Sequence, residues 1–206
     1  MKIVYGTTNQ AKLDSMKRIA EPLGIQIIGL KDLEHPIPVV NEDGKNPLEN
    51  ARIKAEAYYK AFNVPVFSCD SGLYFDDVEE VLQPETHIRR VNGKELTDDE
   101  MIAYYAGLAA KYNNRLVGRY RNAICFIFDE KTSFSSMDES LATEPFILVS
   151  QAHEKRVKGF PLDSLSIDVA SGMYYYDIEE KTVDKSAIEQ GFKEFWEKVL
   201  REIEES

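Results

Sequence analysis

The sequence predicts an α/β fold, in which a long, mixed, twisted sheet is flanked by helices and two lobes surround a cleft. The chain opens with a buried strand, Lys2–Tyr5, which a Gly-Thr-Thr-Asn turn connects to a helix running from Gln10 to Glu21. Farther along, Ala123–Phe128 is a near-continuous apolar run, typical of a strand covered on both faces. Such strands and amphipathic helices, following one another along the chain, indicate an α/β architecture.

The remaining elements follow from residue periodicity and from helix-start signals. Asn46 begins a second helix as its N-cap, and Thr97 with Glu100 forms a capping box at the start of a third. The other predicted elements are strands at Ile25–Leu30, Val64–Cys69 and Phe146–Val149, and a final helix over Ser186–Ile203. Because the chain has no repeat, low-complexity segment or linker, we interpret residues 1–206 as a single domain.

Composition excludes several classes of protein. With 206 residues, 43% of them hydrophobic and 30% charged, the chain has the make-up of a soluble protein with a sizeable core. No apolar run approaches the roughly 20 residues that span a membrane, and the short strand after Lys2 is unlike a signal-peptide core. Two cysteines, Cys69 and Cys125, cannot form a disulfide scaffold. We therefore predict a cytoplasmic protein with reduced cysteines and no membrane partner.

The formal net charge of −11 argues against a broad nucleic-acid-binding surface, which requires a basic face. It does not argue against an anionic small molecule. A few lysines and arginines that converge with a divalent cation in one cleft can outweigh a distant acidic surface. The sequence thus predicts no nucleic-acid partner and leaves a phosphorylated ligand open.

The first turn has the chemistry of an anion site. A helix that begins after Gly6-Thr7-Thr8-Asn9 presents unpaired backbone N–H groups and a favourable dipole to a negative charge. Lys12 would add an ammonium group in the first helical turn. The alternative is an ordinary β–turn–helix in which Thr8 or Asn9 is only the N-cap. The stretch alone does not decide between them.

A second polar turn, Asp70-Ser71-Gly72, is expected where the strand at 64–69 ends. Ligands of α/β proteins bind at the carboxyl edge of the strands, so a carboxylate there could hold a metal ion or activate water. Asp70 and Glu42 offer the hard oxygen ligands that Mg²⁺ prefers. The cations that could offset phosphate charge are Lys12, Lys54, Arg90 and Lys185. The alternatives are a plain turn at Asp70 and a snorkelling side chain at Lys54.

Four short motifs, in the same order over most of the chain, resemble those of the inosine triphosphatase family. They are Thr7-x-Asn9-x-x-Lys12, Glu49-Asn50-Ala51-x-x-Lys54-Ala55, Asp70-Ser71-Gly72-Leu73 and Lys185-Ser186-Ala187-Ile188. The resemblance implies a house-cleaning nucleoside triphosphate pyrophosphatase that uses Mg²⁺ and acts on purine nucleotides such as ITP, dITP and XTP. It also implies a homodimer.

Carried over position by position, the resemblance assigns roles to single residues. Asp70 would bind Mg²⁺ or activate water, and Lys12 would stabilise charge on the reacting phosphates. The other phosphate-binding residues would be Thr7, Asn9, Lys54 and Lys185. Residues that line the remaining substrate would be Ser71, Gly72, Arg90, Phe160 and Asp163. Glu42 would be a further metal ligand, with Asn41 as the alternative because the register is open by one residue.

Three places depart from the family pattern. Cys69 stands where the family has the first acid of Asp-Asp-Ser-Gly, and Leu162 stands where it has a stacking aromatic residue. The stretch 189–191, Glu-Gln-Gly, replaces a Ser-His-Arg that reads the purine 6-oxo group. Polar groups that recognise a substrate can discriminate by ~10⁴ or more. We therefore keep two hypotheses: an active nucleoside triphosphate pyrophosphatase, and a catalytically weakened nucleotide-binding protein with altered base preference.

Overall fold

The computed structural model describes residues 1–178 and 186–205 of the chain. The helices are α1 (Gln10–Ala20), α2 (Pro47–Phe62), α3 (Asp98–Lys111) and α4 (Ser186–Glu204). The strands are β1 (Lys2–Tyr5), β2 (Gln26–Gly29), β3 (Val66–Phe75), β4 (Arg90–Val91), β5 (Lys94–Glu95), β6 (Leu116–Ile127), β7 (Ser133–Ser136), β8 (Phe146–Leu148) and β9 (Ser166–Asp168). Over these residues, no helix is both long enough and apolar enough to cross a membrane.

Seven of the strands form one mixed sheet. Their order is β2-β1-β3-β6-β8-β9, with β7 beside β6, while β4 and β5 form a separate ribbon. Strand β1 runs parallel to β2 and β3, whereas β6 is antiparallel to β7 and β8, and β8 is antiparallel to β9. The predicted α/β fold with a mixed sheet flanked by helices is therefore confirmed.

The helix boundaries follow from side chains that cap the ends. Asn46 Oδ1 accepts the Glu49 backbone N–H at 2.9 Å at the start of α2. Thr97 and Glu100 form the reciprocal capping box that the sequence predicts for α3. At the end of α2, Asn63 adopts a left-handed φ of 51°, which asparagine tolerates better than most residues. Local sequence signals thus determine where α2 and α3 begin and where α2 ends.

The turn predicted at Asp70-Ser71-Gly72 is a strand in the structure, because β3 continues through it to Phe75. The Ser71 hydroxyl donates to Asn122 Oδ1 on β6 at 2.6 Å. Beyond it, Leu73 and Phe75 are buried, and this burial overrides the turn preference of the three polar residues. Asp70 nevertheless lies beyond the end of β1, whose last pairing with β3 joins Tyr5 to Phe67.

The chain divides into two compact units. The first unit comprises residues 1–71 and 121–142 with the described residues from 186 onward; the second comprises 72–120 and 143–178. Each has its own core: the first packs around Phe67, Phe126 and Trp196, and the second around Leu73 and Tyr105. The interpretation of residues 1–206 as a single domain stays a prediction.

Helix α4 contributes its apolar face to the core of the first unit, where Phe192, Trp196 and Val199 are buried. The helix approaches a short 3₁₀ turn, Glu139–Leu141, so closely that a Cβ atom on Gly191 would overlap the backbone carbonyl of Ser140. Glycine is therefore the residue that this contact accommodates.

We expect Gly191→Ala to lower the free energy of unfolding by about 1–3 kcal/mol, because the added methyl group must displace backbone. Gly107→Ala in α3 is the matched control, since nothing lies within 4 Å of its Cβ position. That change should raise the stability by about 0.5–1 kcal/mol through helix propensity. Urea unfolding of both variants checks the expectation, and equal effects of the two substitutions would contradict it.

Candidate active site

A lysine ammonium group bridges two carboxylates in the first unit. Lys54 Nζ donates to Asp70 Oδ1 at 3.0 Å and to Glu42 Oε2 at 2.8 Å. Helix α2 carries Lys54, β3 carries Asp70, and the loop before α2 carries Glu42. The side chains of Lys54 and Asp70 are only 11% and 15% exposed, whereas that of Glu42 is 44% exposed. These three residues, Glu42, Lys54 and Asp70, are called the carboxylate–lysine cluster below.

The electrostatics of the cluster keep Lys54 charged. Burial lowers the pKa of Lys54, but the charge of Asp70 and hydrogen bonds to Glu42 and Asp70 outweigh it, so the net shift is upward. The Lys54 ammonium group is thus largely removed from solvent and donates hydrogen bonds to two carboxylates. The snorkelling alternative for Lys54 is therefore wrong, because its head group is directed to carboxylates inside the first unit and not to solvent.

Asn50 is a further member of this site that sequence reasoning quoted only as part of a motif. Its side chain is buried in the first unit, donating from Nδ2 to Asp70 Oδ2 at 3.0 Å. Its Oδ1 accepts the Gly44 backbone N–H at 2.8 Å. The available signal was a polar residue next to Ala51 on the predicted buried stripe of α2, where an amide needs buried partners.

The turn after β1 is organised by Asn9 as an N-cap. Asn9 Oδ1 accepts the N–H groups of Ala11 at 3.0 Å and Lys12 at 3.3 Å, and Asn9 N–H donates to Thr7 Oγ1 at 3.2 Å. Asn9 is therefore the N-cap of α1, and the anion-binding role of this turn stays a prediction. Two of the helix N–H groups that could face a phosphate already have an acceptor.

The Lys12 side chain is the component of this turn that can add charge to a ligand. It is exposed, and over the described part of the chain no carboxylate lies within ion-pair distance of its ammonium group. Its charge acts on the Cys69 thiol, whose pKa it lowers in part. Lys12 and Lys54 thus both act electrostatically on the residue beside Asp70.

Cys69 adds no negative charge to the cluster. Burial raises the pKa of the Cys69 thiol to about 11, and a hydrogen bond with the Tyr5 hydroxyl and the charges of Lys12 and Lys54 offset only part of that rise. The thiol is therefore protonated at neutral pH. Cys69 and Cys125 are both free cysteines.

The other predicted site residues of the first unit have partners of their own. The Ser71 hydroxyl is bound to Asn122, which in turn donates to the Leu141 carbonyl at 2.7 Å. Asn41 is exposed and donates to Asp43 Oδ2 at 3.2 Å. Of the two residues left open for the metal position, Glu42 is the one whose carboxylate contacts Lys54.

Four predicted substrate residues belong to the second unit. Gly72 is buried in β3, Arg90 is exposed on β4, and Phe160 is 60% exposed. Asp163 lies in a 3₁₀ turn, Pro161–Ser164, where its charge adds to the burial that raises the pKa of Tyr175 to about 12. Lys185, the remaining predicted phosphate ligand, lies outside the described residues.

Two side chains that stand in the family's base-reading positions have neighbours on the surface of the first unit. Glu189 lies 3.8 Å from Arg18 Nη2, and Gln190 donates to Glu194 Oε1 at 2.9 Å. Arg89 belongs to the second unit, where its Nη2 lies 2.8 Å from Asp98 Oδ1. None of residues 189–191 is positively charged, and the cation beside Glu189 is Arg18.

Metal ligands are few at the carboxylate–lysine cluster. Within residues 1–178 and 186–205, no group of three or more histidine, cysteine or acidic side chains converges as a ready-made metal site. Glu42 and Asp70 nevertheless point oxygens at one shared ammonium group, so two carboxylates converge on a single positive charge. Two carboxylates are fewer ligands than Mg²⁺ takes, so an ion held here would draw its remaining ligands from water and from substrate phosphates.

Comparison with known proteins identifies the family. Residues 3–144 match the Ham1 family. The chain is 30% identical over 144 residues to a protein of Malacoplasma penetrans named dITP/XTP pyrophosphatase, an alignment that covers 68% of this chain and 70% of that protein. A protein of the same name in Leptospira interrogans is 29% identical over 183 residues, covering 88% and 87% of the two chains. The chain therefore belongs to the Ham1 family, which confirms the resemblance to inosine triphosphatases.

The fold agrees with this assignment. The solved structure of the Staphylococcus aureus Ham1 protein superposes with a TM-score of 0.74 at 20% sequence identity, covering 96% of this chain and 98% of that one. At that identity the likeness speaks for the fold alone. The mixed sheet and its flanking helices are thus those of a Ham1 protein.

Proposed function

We propose that this protein is a Mg²⁺-dependent nucleoside triphosphate pyrophosphohydrolase whose active site is built around the carboxylate–lysine cluster. The observation that carries the proposal is Lys54 Nζ between Asp70 and Glu42, at 3.0 and 2.8 Å. Membership of the Ham1 family supports the class of activity, because relatives in two bacteria are named dITP/XTP pyrophosphatase. The reaction would convert a nucleoside triphosphate, including non-standard purines, to the monophosphate and pyrophosphate.

The donor set supports Mg²⁺ as the metal. Glu42 and Asp70 supply carboxylate oxygens that already share one cation, and the 44% exposure of Glu42 leaves room for water and phosphate ligands. Mg²⁺ is typically bound by one or two carboxylates together with substrate phosphates and retained waters. When bound, the ion would supply charge neutralisation to the triphosphate and acidify a coordinated water.

The protein's own residues would perform the remaining steps. Asp70 would accept a proton from the attacking water, whose oxygen forms a bond to the α-phosphorus. The bond between that phosphorus and the α–β bridging oxygen breaks, and pyrophosphate leaves with the bonding electron pair. Lys12 and Lys54 would balance the charge on the phosphates and on the leaving pyrophosphate. Proton transfer needs the ionised carboxylate of Asp70. Lys54 donates to its Oδ1 and Asn50 donates to its Oδ2.

The remaining predicted residues complete the proposed substrate site. Thr7 and Asn9 would help to hold the phosphates, with Asn9 acting mainly through its organisation of the turn. The residues proposed to contact the rest of the nucleotide are Ser71, Gly72, Arg90, Phe160 and Asp163, and Lys185 is proposed as a further phosphate ligand.

We also propose a cytoplasmic homodimer without nucleic-acid or membrane partners. The net charge of −11 supports the absence of nucleic acid, and light scattering distinguishes dimer from monomer.

One observation favours the alternative of a nucleotide-binding protein with weakened catalysis. The protonated Cys69 thiol stands where the resembling family has an acid, so one carboxylate is missing beside Asp70. A screen of pyrophosphate release across nucleoside triphosphates, with and without Mg²⁺, separates the two functions. Mg²⁺-dependent release supports the enzyme, and tight binding without turnover of any nucleotide supports the alternative.

Lys12→Ala is expected to weaken nucleoside triphosphate binding about tenfold, because one exposed charge–phosphate contact is lost. Lys2→Ala is the control, since Lys2 lies at the opposite, amino-terminal end of β1. Calorimetric titration of both variants with a non-hydrolysable triphosphate measures the two affinities. Equal affinities for the Lys12 and Lys2 variants would remove Lys12 from the phosphate site.

The base preference is expected to be weak. Glu189 and Gln190 offer no cation to a 6-oxo group, and their observed partners are Arg18 and Glu194. We therefore expect the kcat/KM ratio of ITP to ATP, and that of XTP to ATP, to stay below about a hundredfold, or about 2.7 kcal/mol of discrimination. Comparing ITP, XTP, ATP and a pyrimidine triphosphate checks this. A ratio above that value would mean that another cation reads the base.

A further inference from the structure

The Asn50 side chain connects Asp70 to the loop that carries Glu42. Its amide group donates to Asp70 Oδ2 at 3.0 Å, and its carbonyl oxygen accepts the Gly44 N–H at 2.8 Å. Gly44 lies two residues after Glu42, on the same loop. One buried side chain therefore contacts the strand residue Asp70 and the loop that carries Glu42.

The contact with the loop is close. A Cβ atom on Gly44 would lie 2.7 Å from Asn50 Oδ1 and 2.8 Å from the Asn50 backbone nitrogen. The loop is also tied to the start of α2, because Lys45 N–H donates to Glu49 Oε2 at 2.8 Å. Asn50 is 3% exposed and Gly44 is buried, so water has little access to replace either hydrogen bond.

The chemistry of the position requires a side chain that both donates and accepts. Aspartate could accept the Gly44 N–H but would present a second negative charge to Asp70. An aliphatic residue could make neither of the two hydrogen bonds. The asparagine donor also determines which Asp70 oxygen faces Lys54. Because Nδ2 occupies Oδ2, Asp70 turns Oδ1 toward Lys54.

We propose that Asn50 is a positioning residue for the pyrophosphohydrolase reaction: it orients the Asp70 carboxylate and fixes the Glu42 loop against it. The inference rests on the proposed function, because it acts through Asp70. It adds a role that neither carboxylate performs itself, and Asn50 touches no substrate atom in it. The consequence is that catalysis depends on Asn50 only while the Asp70 carboxylate is present.

The test is a double-mutant cycle between Asn50→Asp and Asp70→Asn, followed by pyrophosphate release from a saturating nucleoside triphosphate with Mg²⁺. Asn50→Asp keeps the acceptor for Gly44 and reverses the interaction with Asp70. We expect it to lower kcat about tenfold or more while KM changes less than about threefold, because orientation and not substrate binding is lost. In the Asp70→Asn background the same change should cause no further loss.

Three controls keep the outcomes separate. Asn63→Ala disturbs the far end of the same helix, where Asn63 has a left-handed φ, and it should leave kcat unchanged. Thermal unfolding shows which variants are folded, and Asn50→Ala, which cannot repel Asp70, takes the place of Asn50→Asp if the latter does not fold. Asn50→Ala should likewise lose activity only when Asp70 is present.

The possible results differ for the inference and for the proposed function. An unchanged kcat in the folded Asn50 variants, or a loss that multiplies with that of Asp70→Asn, overturns the positioning role alone. If Asp70→Asn itself keeps full turnover, the proposed site fails and the inference fails with it. A loss in the single Asn50 variant that vanishes in the double variant supports the proposal.

Discussion

Asp70→Asn is expected to lower kcat by ~10² or more, which corresponds to about 2.7 kcal/mol of lost transition-state stabilisation. The substitution keeps the size of the side chain and removes the charge that would accept a proton or bind Mg²⁺. Asp70 is 15% exposed and is contacted by Lys54 and Asn50, so its geometry is well defined. Pyrophosphate release under saturating nucleotide measures the effect.

Asp77→Asn is the matched control for this substitution. Asp77 is exposed and has a left-handed φ of 56°, a conformation that asparagine also adopts readily. It removes the same charge from a nearby stretch of sequence without touching the cluster. Near-equal kcat values for the two variants would exclude Asp70 from the reaction, whatever their thermal stabilities.

Lys54→Met should have the second large effect, on stability as well as on activity. Without the ammonium group, Asp70 and Glu42 are left converging with no positive charge between them. We expect the free energy of unfolding to fall by about 1–3 kcal/mol and kcat/KM to fall by ~10² or more, because phosphate charge is also no longer balanced. Urea unfolding and pyrophosphate release measure the two losses.

Lys60→Met provides the comparison on the same helix. The Lys60 side chain is 77% exposed, with its ammonium group 4.0 Å from Glu56 Oε2, so its removal should change stability by less than about 0.5 kcal/mol. Added Mg²⁺ should stabilise the Lys54 variant more than the Lys60 variant, since only the former has two carboxylates without a counter-ion. Identical behaviour of the two variants would contradict the role given to Lys54.

The sequence predicted the fold well because the relevant signals are local. Asn46 and Thr97 cap helices where the spacing predicts them, and the apolar run at 123–128 lies almost wholly within a buried strand. The error at Asp70-Ser71-Gly72 has a non-local cause. A turn preference that is correct for three residues in isolation is overridden by the burial of Leu73 and Phe75 farther along the strand.

The site was predictable in its residue types and not in its contacts. Motif order indicated Lys54 and Asp70, but it is Lys54 that joins Asp70 to Glu42. Glu42 is twelve residues from Lys54 and twenty-eight from Asp70 along the chain. The contacts of Asn50 were missed: a polar residue next to Ala51 indicates a buried amide, but it does not indicate which groups are its partners. The sequence left Thr8 and Asn9 open as the N-cap, and the hydrogen bonds to Ala11 and Lys12 assign that role to Asn9. The phosphate-binding role of the turn stays a prediction.

The surroundings of residues 189–191 were the least predictable part of the candidate site. Residues 189–191 lack the cation that the resembling family has in its Ser-His-Arg. The partners of Glu189 and Gln190, however, depend on how α4 packs against the rest of the first unit. Arg18 lies on α1, far from position 189 in sequence and 3.8 Å from it in space. Electrostatic pairing of this kind depends on tertiary structure, which residue spacing does not encode.

We propose that the carboxylate–lysine cluster directs water to the α-phosphorus of a nucleoside triphosphate. The most direct measurement is hydrolysis in water enriched in a heavy oxygen isotope, followed by mass spectrometry of the products, with Asp70→Asn as the blank for contaminating activity. We expect one labelled oxygen in the nucleoside monophosphate and unlabelled pyrophosphate, at a rate that the Asp70 variant does not reach. Label in orthophosphate together with a nucleoside diphosphate, or equal labelling by the Asp70 variant, would contradict it.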